Sequence, residues 1–390
     1  MRLPICILAL ALSAWAADID TAQPVDAAID GPDQAGPGPA APADATPPAA
    51  PPKYNGWAFS GLADGYVTAN WNHPSPINNQ LQNFNMNYGQ AELSLIKFTL
   101  DKSDKVLGIH LDTGFGETMR QIHAFDPAAQ EHQALRYFEQ MYVILKPPKM
   151  HGTEIDFGQF VTSAGAEVIE SSSNWNYTRS LLFALAIPYY HMGVRMNVPV
   201  TKVWTLGVQE VNAWNTMWGN NDFKNAGITS VLTMPKYTWS VNYYVGPNHA
   251  GTTAGVRNLL DSTILLTPST KFNFYINGDY GRDNHAFGGG YDDWYGLAGA
   301  GIWHLNGHFS IAGRAEFYND KTGFNTGVKQ VLKEGTLTGE YKYNDHLITR
   351  IEYRHDATDQ PYFNRGAGRP LSKDMNTFTL GIVALLGPLK

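Results

Sequence analysis

The sequence predicts an all-β fold, a transmembrane antiparallel up-and-down β-barrel of about sixteen strands. Three observations carry this reading. Segments of about ten residues alternate apolar and polar side chains, the period of two expected of a strand with one dry and one wet face. Their connections alternate between tight turns and long loops. In outer-membrane barrels the short turns are periplasmic and the long loops extracellular. Beyond the N-terminus no apolar run reaches the roughly 18 residues that a membrane-crossing helix needs.

Composition agrees with this. Charged residues make up 16% of the 390-residue chain, against roughly 25% in ordinary soluble proteins. The 38 glycines and 20 tyrosines suit many short strands and exclude a disordered chain. The net charge is −7. Residues 1–52 hold Asp18, Asp20, Asp26, Asp30, Asp33 and Asp44 against Arg2, a balance of −5, which leaves −2 for the remainder. So neutral a body offers no basic surface to nucleic acid.

The chain opens with a signal-peptide pattern over residues 1–16. Arg2 precedes the apolar run LPICILALALS, and Ala14-Trp15-Ala16 supplies a small-x-small cleavage site. The only cysteine, Cys6, falls inside it, so the exported chain is expected to have no disulfide and no thiolate metal site. Residues 17–53 are rich in Pro, Ala and Asp and read as an extended periplasmic linker, either an inert spacer or a tether. Residues 54–390 are the predicted barrel.

Within it the strand pattern falls at 57–70, 88–100, 105–116, 135–146, 154–162, 190–198, 203–213 and 223–233. It continues at 237–245, 258–267, 271–281, 294–305, 308–319, 334–343, 347–356 and 374–386. Asn306-Gly307 is a two-residue hairpin signal. The polar faces carry charge. His110 and Asp112 oppose Ile109 and Leu111. Arg314 and Glu316 oppose Ala315 and Phe317. Glu340 and Lys342 share a face, and Arg350, Glu352 and Arg354 oppose Ile351 and Tyr353. Charges on one face of successive strands are untenable in a dry core and natural in a water-filled lumen. Asp112, Arg314, Glu316, Glu340, Lys342, Arg350, Glu352 and Arg354 are therefore the expected pore-lining residues.

The third long loop separates the strands at 154–162 and 190–198, and it is unusually polar. A long polar insert between short strands is usually functional. Folded inward, it would bring Glu167, Glu170, Asn174, Asn176 and Arg179 to a constriction, with His191 and Arg195 facing them from the wall. Such a ring would set the field on a passing solute. The bland reading leaves these charges on an outer loop.

Catalytic motifs are lacking: HExxH, GxSxG, a P-loop and GxGxxG do not occur. Ser180 and His191 would make a hydrolase dyad without a recognisable third member, so no enzyme is expected. Asp279, Asp283, Asp292 and Asp293 offer oxygen ligands of the kind calcium takes, but solvated loop acids are the simpler reading. No metal and no cofactor is predicted.

The stretch FGQFVTSAGAEVIESSSNWNYTRSLLFALAIPYYHMGVR resembles the signature segment of the OmpL-like β-barrel porin family. FSGLADGYVTANWN and VQEVNAWN are similar to that family's first strand and its Asn-Gly-Trp-type strand end, with Ala213 in place of the glycine. The similarity runs from about residue 57 onward. It implies an outer-membrane pore for small hydrophilic solutes or ions, surrounded by lipid, with no catalytic residues to carry over. Trimerisation follows only by analogy with other sixteen-stranded porins. The alternative is a plugged barrel with a structural or adhesive role.

Overall fold

The structure, a computed structural model, describes residues 56–387. The predicted signal peptide and linker lie outside them. Among the described residues sixteen strands follow one another. They are β1 (Trp57–Asn70), β2 (Ala91–Ser103), β3 (Leu107–Phe115), β4 (Phe138–Leu145), β5 (Glu154–Val161) and β6 (Tyr190–Pro199). Next come β7 (Trp204–Val211), β8 (Asn225–Met234), β9 (Tyr237–Gly246), β10 (Arg257–Leu266) and β11 (Phe272–Asn284). The last are β12 (Tyr291–His304), β13 (Phe309–Asp320), β14 (Gln330–Asn344), β15 (Leu347–Thr358) and β16 (Asp374–Leu386).

Each strand pairs antiparallel with its sequence neighbours, and β1 pairs with β16 from Gly61↔Leu386 to Asn70↔Thr377, which closes the ring. Closure leaves no edge of unpaired N–H and C=O groups, the one arrangement of strands that lipid permits. The predicted strands differ from these at their ends. Residues 135–137 form a 3₁₀ turn instead of strand. The predicted Gly-rich loop at 282–293 shrinks to 285–290 because β11 and β12 stay paired through Asp283↔Asp292. The Arg282–Asp293 ion pair at 2.7 Å clamps the two strands there.

The side chains sort by face. Leu260, Ile276, Leu297, Leu337, Ile351 and Leu380 point outward and are about half exposed. Aromatic residues flank this apolar belt at both ends. Trp57, Trp204, Trp239, Trp303 and Phe309 lie toward the short turns, and Trp71, Phe115, Tyr280, Tyr295 and Tyr353 toward the long loops. An apolar band between two aromatic girdles is what a bilayer's hydrocarbon and interfaces select. Inward, the alternate positions are polar and buried, including Asp64, Asp112, Asp156, Arg314, Glu352 and Arg354.

Leu337 is 58% exposed near the middle of β14. Leu337→Arg should cost about 2–4 kcal/mol of folding free energy in lipid vesicles, measured by equilibrium denaturant titration. A cost near zero would place this face in water.

Candidate functional site

The third long loop, residues 162–189, has its backbone hydrogen-bonded to inward-facing side chains of the barrel. Its N–H groups find carboxylates. Gly165 donates to Asp261 of β10 at 2.6 Å. Tyr177 and Thr178 donate to the two oxygens of Glu352 at 2.6 and 2.9 Å. Leu181 and Leu182 donate to Glu316 at 3.0 and 3.2 Å. Its carbonyls find arginines. Arg314 reaches Thr178 O at 2.7 Å, Arg350 reaches Ser171 O at 2.6 Å and Arg354 reaches Arg179 O at 2.7 Å. Irregular backbone at membrane depth is tolerated only where such partners exist. The inward charges of β10, β13 and β15 supply them.

Glycines and aromatic residues complete the fit. A Cβ on Gly381 of β16 would stand 2.3 Å from the Tyr177 ring. The Tyr177 hydroxyl donates to Asp64 of β1 at 2.6 Å, and Ser171 Oγ donates to the same carboxylate at 2.6 Å. Trp294 Nε1 of β12 donates to Ala186 O at 3.0 Å.

Of the expected constriction residues, Glu167 meets Arg314 at 2.7 Å and also caps the Ser180 N–H at 2.6 Å. Glu170 pairs with Lys97 of β2, whose ammonium also contacts Asp112 of β3 at 3.2 Å and Glu139 of β4 at 3.4 Å. Asn176 donates to Thr338 at 2.7 Å. Asn174 braces the loop internally, accepting from Val168 N at 3.0 Å and donating to Val168 O at 2.8 Å. Arg179 is 3% exposed and turned into the loop itself. It donates to Tyr177 O at 2.6 Å and to Ile169 O, and its guanidinium lies 5.1 Å over the Phe84 ring.

His191 and Arg195 stand apart from these charges. Arg195 pairs with Asp156 across the β5–β6 ladder at 2.6 Å and stacks 4.5 Å over Phe160. His191 is fully buried, stacked on Tyr244 with centroids 5.2 Å apart, and its Nδ1 lies 3.3 Å from Ala213 O. Its Nε2 has no partner, while Ser180 Oγ accepts from Phe183 N at 3.0 Å. The Ser180–His191 dyad is thus not assembled.

Among the expected pore-lining residues, Arg314, Glu316, Arg350, Glu352 and Arg354 are buried against the loop. Glu340 and Lys342 are part-exposed and line a cavity of about 560 Å³ on the short-turn side, with Ser172, Ser173 and Trp175 of the loop above it. A second cavity of about 120 Å³ lies against the loop between Gln140, Thr162, Val168, Glu170 and Tyr189.

The four acids read as a loop cluster do not come together. Asp283 is held by Arg257 at 2.5 Å and His249 at 2.8 Å, Asp293 by Arg282, and Asp292 by His285 at 3.1 Å. Asp279 faces the lumen instead, opposite Asp261.

Sequence reading missed Asp64, Lys97, Glu139 and Asp261. Simple alternation would place Asp64 inward with Leu62, Tyr66 and Thr68. Glu139 could not be found this way. A register shift between Asp112 and Thr113 turns it inward beside Gln140.

A closed sixteen-stranded ring with an apolar belt outside and ion pairs within is the architecture of outer-membrane β-barrels of the porin type. The chain belongs to the family described as Putative beta-barrel porin-2, OmpL-like, whose profile matches residues 56–386. No curated protein matches it in sequence. Solved structures share the fold. OmpT, an outer membrane protein of Vibrio cholerae, is 13% identical over 86% of this chain and 100% of its own, with a TM-score of 0.56. A trimer form of OmpT, 11% identical, aligns over 84% of this chain and 98% of its own at 0.53. The outer membrane channel DcaP of Acinetobacter baumannii is 10% identical over 85% and 97% of the two chains, at 0.56. OmpF of Salmonella typhi, in complex with daunomycin, is 12% identical over 86% and 99%, at 0.55.

Arg314 joins Glu167, Glu316 and Glu334. Arg314→Ala leaves three buried carboxylates short of their cation and should lower stability by about 3–5 kcal/mol, read from urea unfolding in detergent. Asp345→Ala, which breaks only the exposed Lys342–Asp345 pair, should cost no more than about 1 kcal/mol. Equal effects would mean that the loop is not held by these charges.

Proposed function

We propose that the barrel is a passive pore for small hydrophilic solutes or ions and that the third long loop is its constriction. The observation that carries this is the position of the Lys97–Glu170 contact. It ties the loop to β2 beside the smaller cavity, while the neighbouring loop residues Ser172–Trp175 roof the larger one. A solute would pass from one cavity to the other along this contact. Arg179 serves in this reading as an internal brace of the loop, and the field on the solute comes from Lys97, Asp112, Glu139 and Glu170. The cluster sets three carboxylates against one ammonium, with the His110 ring 3.2 Å from Asp112, and its excess of carboxylate favours cations.

In planar bilayers the purified protein should give small, stepwise conductances with cation preference. Glu170→Gln should move the reversal potential toward zero selectivity, and Lys97→Met should strengthen cation preference and raise conductance. An unchanged reversal potential in both would remove this contact from the ion path.

A second reading, a plugged barrel of structural or adhesive role, is favoured by one fact. From Asn174 to Ile187 every loop residue except Leu185 is buried. A silent bilayer with correctly folded protein would select it.

We also propose a homo-oligomer, by analogy with the trimer form of OmpT. β4, β5 and β7 have only 8 residues each. At the usual rise and a tilt near 45° such strands stand roughly 19 Å tall, short of the ~25 Å apolar band. A neighbouring copy against this wall would supply the missing height. Phe157 on β5 is 61% exposed there. Phe157→Lys should convert the oligomer to a monomer in native mass spectrometry with single-channel conductance intact. Retention of the oligomer would place the interface elsewhere.

A further inference from the structure

Asn242, Asp261 and Asp279 form one row across β9, β10 and β11, with Asp261 directly opposite both of the others. Two residues along, Ser240, Thr263 and Asn277 form a second row on the same inward face. All six are buried, Asp261 completely and Asp279 to 4% exposure.

The hydrogen bonding of this patch is incomplete in a particular way. Asp261 accepts the Gly165 N–H at 2.6 Å and longer contacts from Asn242 and Asn277 at 3.5 and 3.4 Å. Asp279 has no partner at either carboxylate oxygen, and Asn242 Oδ1 and Thr263 Oγ1 have none either. The charges that face Asp279 are Asp261 and Glu316, both acidic. On its other side Asp279 pairs with Gly296, and Leu182 of the loop fills the space over that glycine. No donor arrives from there. Buried carboxylates are expected to be paired or to coordinate metal. Elsewhere in this lumen they are paired, as Glu167, Glu316 and Glu334 are with Arg314.

We propose that Asn242, Asp261, Thr263 and Asp279 form a binding site for a hard cation of the calcium class, between the barrel wall and the root of the third long loop. Every unpartnered atom in the patch is an oxygen, which excludes thiophilic and imidazole-seeking metals. Two carboxylates, an amide oxygen and a hydroxyl match the mixed oxygen shell and tolerant geometry of calcium. Magnesium demands a stricter octahedron and keeps its water. The cation supplies the positive charge that the row lacks. It also fixes the loop, because Asp261 holds Gly165 and Asn242 Nδ2 donates to Ser163 O at 2.9 Å. The arginines of β13 and β15 hold the middle of the loop, and the cation anchors its beginning. The acidic cluster of Asp112, Glu139 and Glu170 is a separate case, since the Lys97 ammonium already contacts all three.

Terbium stands in for calcium at oxygen sites and emits when a nearby aromatic ring is excited. The full chain, folded in detergent and stripped with chelator, is titrated with terbium chloride under aromatic excitation and back-titrated with calcium chloride. The expected result is saturable emission that calcium displaces. Asp279→Asn should weaken binding about tenfold or more, because one of two anionic ligands is gone. Thr263→Val should weaken it several-fold, and Glu139→Gln should leave it unchanged. Heat-modifiable gel migration reports folding of each variant; if Asp279→Asn does not fold, Thr263→Val decides. The proposal is overturned by absence of saturable emission from folded wild type, by wild-type affinity in the folded variants of the site, or by loss of the signal in Glu139→Gln instead.

Discussion

Everything in this structure depends on one constraint: no backbone polar group can face hydrocarbon without a partner. The β1–β16 pairing meets it for the strands by closing the ring. Once closed, the wall has only two faces, and alternation sends apolar side chains to lipid and polar ones inward. The inner face then has its own problem. Carboxylates and guanidinium groups gathered in a confined lumen need counter-charges and hydrogen bonds.

The third long loop answers both demands at once. Its irregular backbone has N–H and C=O groups that no ladder satisfies, and the wall has buried charges that need partners. Glu316 and Glu352 take the N–H groups, and Arg314, Arg350 and Arg354 take the carbonyls. Hydrogen bonds to charged groups are roughly twice as strong as neutral ones, so the segment is held at many points without a disulfide. The exchange is uneven around the ring. The β13–β15 side is densely paired, whereas the β9–β11 side has an acidic row with oxygen atoms to spare. That unevenness led us to place a cation there.

Much of this was legible in the sequence because a strand's period is short and local. The bounds 57–70 and 374–386 and the inward set of Arg314, Glu316, Arg350, Glu352 and Arg354 follow from alternation alone. The rest was not local. Arg179 looks like a charge aimed at a passing solute, yet its partners are two carbonyls of its own loop, a fact set by the loop's fold and by no spacing. Glu139 breaks alternation through a register shift that no residue announces. Asp261 and Asp279 are 18 positions apart, and only the β10–β11 register makes them neighbours. The acids near 283–293 look like a cluster in sequence, but the strand residues Arg257 and Arg282 and the loop residue His249 divide them into separate pairs.

The central claim is that wall charges hold the third long loop inside the ring, and distance is its most direct test. Asn176 Nδ2 lies 2.7 Å from Thr338 Oγ1, and Cys6 is the chain's only cysteine. With Cys6→Ser as background, Asn176→Cys and Thr338→Cys together should be joined within one chain by a short thiol-specific cross-linker in the folded, unheated barrel. Both thiols should also resist a bulky maleimide added from outside. Failure to cross-link, together with rapid labelling of residue 176 by the bulky reagent, would contradict the account.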